Sequence, residues 1–131
     1  MQKIETIILS KLFSDEDYAR KVIPFITPEY FHDTSERKIF NYARDFIEKY
    51  NSLPTVEAIE IAVQNDRGIN ENEFKNINEK LTHLDDSLDV NGKWLLEETE
   101  KFCKDKAVYN AIMQSIQIID GDDKQHTQDG I

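Results

Sequence analysis

Large apolar residues recur at seven-residue spacing through the stretch from Asn91 to about Asp120. They are Leu95, Phe102, Tyr109 and Ile116, joined late by Ile112 and Ile119. The stretch has no proline, and its one glycine, Gly92, stands at the entrance. This pattern predicts a continuous amphipathic helix. Roughly 28 residues at 1.5 Å each make a rod of about 40 Å, whereas a compact domain of this length is about 35 Å across. The rod is therefore expected to outrun its own core and to need another surface over part of its apolar face. Its seam is uneven: Glu98 and Asp105 occupy the second apolar position early, Ile112 and Ile119 occupy it late. Contact with that other surface is expected to be sharpest over Tyr109–Ile119.

The preceding residues read as shorter helices. Ile4, Ile7, Ile8 and Leu12 share one face. Ser14 offers a cap, with Asp17 three residues on, for a helix that Pro24 should end or bend. Thr27-Pro28 opens a brief turn. Ser35 starts a helix whose stripe is Ile39, Phe40, Ala43, Phe46, Ile47 and Tyr50, broken by Asn51-Ser52-Leu53-Pro54. Thr55 caps a shorter helix carrying Val56, Ile59, Ala62 and Val63, which fades at Asp66-Arg67-Gly68. Asn70 caps the next, which bears Phe74, Ile77, Leu81, Leu84 and Leu88. No segment alternates in the manner of a strand. The expected fold is all-α: a globular head of about five short helices over residues 1–69, then a helical hairpin over 70–120, its two arms antiparallel across a loop near Asp85 to Gly92. The polar tail 121–131, GDDKQHTQDGI, reads as the start of a linker. Tyr30, Phe31, Phe25 and Phe40 are assigned to the head core. Trp94 has two readings, a core anchor at the hairpin turn or an interface hot spot.

Composition narrows the function. The 131 residues support one domain and carry a formal charge of −10, with Lys and Arg scattered apart from Arg37, Lys38 and Arg44. Gripping a phosphate backbone needs clustered positive charge, so tight nucleic-acid binding by this domain is not expected. The single cysteine, Cys103, fits a reducing cytosol. No signal peptide or apolar run of membrane-spanning length is seen, which points to a cytoplasmic protein.

Candidate chemistry is thin. Asp120-Gly121-Asp122-Asp123 starts like a calcium loop, but Gln125 stands where the glycine is needed and Ile131 where the bidentate glutamate belongs. Glu97, Glu98 and Glu100 fan around a helix start, where they complement its dipole. His32, His83 and His126 have no second histidine at ligand spacing. No nucleophile elbow or glycine-rich phosphate loop occurs. No catalytic, cofactor-binding or metal-ligating residue is assigned, and this chain alone is not expected to be an enzyme.

Several stretches together resemble the N-terminal domain of replicative DNA helicases of the DnaB family, of the T-even phage type. They are IETIILSKLF, DYARKVIPFITPEYF, ERKIF, the YNSLPTVEA block and WLLEETEKFCKDKAVYNAIMQSI, and they span essentially the whole chain. Against bacterial members the shared pattern is thinner, little more than Glu5-x-x-Ile8-Leu9-x-x-Leu12 and Phe31. Where many of those carry a His ahead of the Ile39-Phe40 pair, this chain has Ser35-Glu36-Arg37-Lys38, so any role of that His is not carried over. The resemblance implies a hexameric ring that moves 5′ to 3′ on one DNA strand. Its ATP or GTP and Mg would sit in a C-terminal motor domain with a Walker A loop, which this sequence lacks. It further implies hairpins that pair between subunits in a trimer of dimers, a primase and a helicase loader as partners, and single-stranded DNA passing through the parent ring.

The expected subunit interface comprises Phe74, Ile77, Leu81, Leu84, Trp94, Leu95, Phe102, Tyr109, Ile112, Ile116 and Ile119. The alternative is a stand-alone acidic helical adaptor or loader-type replication protein.

Overall fold

The computed structural model describes residues 3–85 and 87–129, with side chains placed as far as Ile119. The described residues are helical, with no strand among them: α1 (Ile4–Leu12), α2 (Glu16–Val22), a 3-10 turn (Pro28–Tyr30), α3 (Thr34–Tyr50), α4 (Val56–Asn65), α5 (Glu71–Thr82) and α6 (Gly92–Asp129). The all-α expectation holds.

Local chemistry sets the boundaries. Thr55 and Asn70 cap α4 and α5 as their sequences require, each side chain accepting from the backbone N–H three residues on. Two starts differ from expectation. Asp15, not Ser14, caps α2 by accepting from the Tyr18 N–H. Asp33, not Ser35, caps α3, its carboxylate accepting from both Ser35 and Glu36 N–H groups. In both places an ionised aspartate next to the helix dipole outcompetes a nearby serine hydroxyl. At the far end of α3, Asn51 turns the chain in the left-handed region, with φ 55°.

Helix α3 is central, packed by α1, α4, α5 and the 3-10 turn. Its Ile39 and Phe40 are fully buried with Ile8, Leu9 and Leu12 of α1, Ile59 and Val63 of α4, and Ile77 and Leu81 of α5. Phe31, just past the 3-10 turn, stacks at 5.5 Å between ring centroids on both Phe40 and Phe102, joining α3 to α6. Arg37 holds that segment in place, its Nε donating to the Phe31 carbonyl at 3.0 Å. Phe25 does not join this core: it is 72% exposed. Its neighbours Val22 and Ile26 take the inward positions, and Phe25, in the turn after α2, faces out.

The largest departure concerns the hairpin. Among the described residues, α5 packs on α3 and α4, whereas α6 packs on α1, α2 and the 3-10 turn; α5 and α6 do not lie alongside one another. The connection between them explains this. Asp85 N–H donates to Ser10 Oγ of α1 at 3.1 Å, and Leu84 and Val90 pack against the core. The connecting segment is thus drawn over α1 instead of reversing tightly on α5. Helix α6 also continues through Asp129 instead of ending near Asp120. Gly121 costs about 1 kcal/mol in a helix interior, but no proline follows to stop propagation. At 38 residues, α6 is about 57 Å long.

Candidate protein–protein interface

Helix α6 begins as a core element. Asn91 accepts from the Trp94 N–H at its start. Leu95 and Phe102 are then 1% and 5% exposed, in the same cluster as the residues of α1 and α3. Thr99, between them, is buried and ties α6 to α2. Its hydroxyl donates to the Leu95 carbonyl at 2.7 Å and meets the Tyr18 hydroxyl at 2.7 Å. Since a threonine hydroxyl has one proton, Tyr18 is the donor in the second bond. Burial pushes the Tyr18 phenol well above its usual range. It stays neutral.

The head's last grip on α6 comes about two turns beyond Phe102. The His32 ring stands edge-on to Tyr109 at 5.1 Å, and Asn110 Nδ2 donates to the Glu29 carbonyl at 3.0 Å. Beyond this point the seven-residue line simply runs off the head. Leu95 and Phe102 are buried, whereas Tyr109 and Ile116, on the same line, are 47% and 46% exposed. Ile112, Met113 and Ile119 are exposed beside them. At 100° per residue, Tyr109, Ile112, Ile116 and Ile119 lie within about 80° of one another on the helix surface, a coherent stripe.

A second feature, which periodicity alone does not bring out, is the absence of charge. From Ala107 to Ile119, AVYNAIMQSIQII, there is no Asp, Glu, Lys or Arg, in a chain that is 32% charged. Solvated helix faces usually carry charges, and this stretch of exposed apolar side chains carries none.

The expected interface therefore divides. Ile77, Leu81, Leu95 and Phe102 are corrected: their side chains are spent in the chain's own core, because α5 and the first turns of α6 complete the head. Phe74 and Leu84 are half-buried against that core. Tyr109, Ile112, Ile116 and Ile119 are brought together as one exposed stripe. Trp94 is 42% exposed, lies outside the core cluster and stands apart at the start of α6.

The basic cluster noted in the sequence is absorbed by the fold. Arg37 holds the Phe31 and His32 carbonyls. Lys38 pairs with Glu73 at 3.0 Å, and Arg44 bonds Asn41 and lies over the Phe40 ring. These three do not form a free phosphate-binding patch. Among the described residues no group of three or more His, Cys, Asp or Glu is placed to hold a metal ion, and no helix is long and apolar enough to cross a membrane.

The described residues thus form an all-helical head whose last helix leaves it with an uncovered apolar stripe. Comparison with known proteins makes this particular. Residues 1–90 match the family described as DnaB-like helicase N terminal domain, and the chain belongs to that family. It is also 32% identical over 112 residues to the DnaB-like replicative helicase of Enterobacteria phage T4. The match covers 86% of this chain and 23% of that protein, so the chain spans about a quarter of its relative's length.

Proposed function

We propose that this chain is the subunit-pairing domain of a replicative DNA helicase and that α6 is the pairing arm. The observation that carries the proposal is the line Leu95–Phe102–Tyr109–Ile116, buried in its first half and exposed in its second. A second copy of α6 supplies a matching apolar stripe. Covering each half-exposed side chain is worth roughly 1 kcal/mol, and association costs several kcal/mol at least. Arms alone then pair weakly, and the ring would be completed by the rest of the helicase. In this reading nucleotide hydrolysis with Mg and 5′-to-3′ strand separation belong to a motor domain outside this chain. The pairs would build a collar able to receive a primase or loader, and single-stranded DNA would pass through the ring without tight binding to this acidic domain.

Sedimentation equilibrium tests the arm. The chain should self-associate weakly, in the high-micromolar to millimolar range, and Ile112→Asp with Ile116→Asp should leave a folded monomer. Unchanged association in that variant would remove the stripe from the interface. A strict monomer that pairs only within the full-length protein would assign the stripe's cover to a later segment of that protein. A GxxxxGK[ST] motif in the parent gene past Ile131 would support the helicase reading, and a stop codon there would favour the stand-alone adaptor.

A further inference from the structure

A groove of about 540 Å³ lies where α2 and its following loop meet α6. Its apolar lining comes from Val22, Phe25, Leu96, Cys103 and Ala107, and Thr99, the partner of Tyr18, also lines it. Phe25 stands at its rim with most of its ring in water, an arrangement that covering the groove would relieve.

Its polar members are Lys21 on the α2 side, and Lys104 and Glu100 on the α6 side. Lys104 and Glu100 pair with each other at 2.9 Å across an exposed turn, a contact worth little in water. Lys21 is in no ion pair among the described residues. On a chain with a formal charge of −10, an apolar groove with a lysine on each wall is locally inverted. Its local charge favours an acidic segment over a basic one.

Position decides between a second copy and another protein. At 100° per residue, Leu96, Cys103 and Ala107 lie on the side of α6 roughly opposite Tyr109, Ile112 and Ile116. Pairing through the stripe therefore leaves the groove open, facing away from the partner copy.

We propose that this groove docks a short acidic segment of a different protein, with one or two large apolar side chains entering between Phe25 and Leu96 and flanking carboxylates meeting Lys21 and Lys104. The site is separate from the pairing stripe and does not require it.

Cys103 is the only cysteine of the chain and lines the groove, so its reaction with a thiol reagent at pH 8.5 reports occupancy. The probes are two fluorescent nonapeptides with the same Leu-Phe centre, one flanked by aspartates and one by lysines. The aspartate peptide should bind saturably, slow Cys103 labelling at least fivefold, and bind more weakly as salt rises from 50 to 300 mM. Lys21→Glu with Lys104→Glu, both at exposed positions, should raise its Kd at least tenfold with unchanged helicity. Ile112→Asp with Ile116→Asp should bind it like wild type, which keeps this test apart from that of the pairing arm. Equal protection by both peptides, no binding by either, or indifference to the lysine reversals would overturn the proposal. So would loss of self-association in Phe25→Ala, which would give the groove to a second copy.

Discussion

Tyr18 of α2 and Thr99 of α6, 81 residues apart in sequence, share a buried hydrogen bond of 2.7 Å. Thr99 spends its own proton on the Leu95 carbonyl, and this makes the pair asymmetric. Tyr18→Phe removes a donor and leaves Thr99 satisfied, so it should cost about 1 kcal/mol. Thr99→Val strands a buried phenol and should cost more, about 1–3 kcal/mol. Urea midpoints at constant slope measure both. Equal losses would mean that Tyr18 finds another acceptor in the Thr99 variant.

The two halves of the seven-residue line should respond oppositely in dilute, monomeric protein. Leu95→Ala or Phe102→Ala should cost about 2–5 kcal/mol through the cavity each leaves. Ile116→Ala should change monomer stability by less than about 0.5 kcal/mol. At high concentration the order of effects on self-association should place Ile116 first. A large thermal destabilisation by Ile116→Ala in the dilute monomer would show that the head covers more of α6 than the structure shows.

Asn51 offers a backbone test, since its φ of 55° is strained for a residue with an ordinary Cβ. Asn51→Ala should destabilise relative to Asn51→Gly by about 1 kcal/mol. Both variants lose the Arg20 bond to Asn51 Oδ1, so their difference isolates the turn. Calorimetric melting of the two side by side checks it.

Glu36 supplies the pH dependence. Burial pushes its carboxyl above the usual range, with Asp33 and Glu5 adding to the rise and Lys80 and Lys3 opposing it. A carboxyl raised on folding lowers stability once it ionises. The penalty is absent below the unfolded value near 4.3 and grows as pH climbs through the folded one. Glu36→Gln should therefore gain on wild type between pH 4 and pH 7. Asp33 works the other way. Burial would raise it, but the Glu36 and Ser35 N–H groups and the Lys80 ammonium together hold its carboxyl below the usual range. Its contribution is present above the unfolded value and is lost as acid brings the pH down through the folded one. Asp33→Asn should thus lose its disadvantage at low pH. Melting temperatures across that range decide both, and a pH-independent gap for Glu36→Gln would count against a buried charge there.

Periodicity made the helices legible, because each face repeats where the helix turns. It defines a face but not the face's partner. The stripe Phe74, Ile77, Leu81 and Leu84 shows that α5 must pack on something; whether on α3 or on α6 depends on the path of the connection, and the Asp85–Ser10 bond that settles it pairs two ordinary polar residues. Asp15 and Asp33 were eclipsed by neighbouring serines for a similar reason, since several capping residues in a row compete and only the assembled geometry selects one. The exposed stripe on α6 was readable from length against domain diameter. The lack of charge between Ala107 and Ile119 was equally present in the sequence and adds to that reading.

The passage of α6 from core to open surface makes the helix a lever. Its fulcrum is the head's last grip, His32 against Tyr109 and the Glu29 carbonyl on Asn110, and Ile119 lies about 14 Å beyond Asn110 along the axis. A tilt of about 10° at that grip swings that point by about 2 Å, enough to shift one side-chain contact against a facing helix. Small rearrangements in the head, such as those that would follow from filling the groove beside Phe25, would thus be magnified where two copies meet.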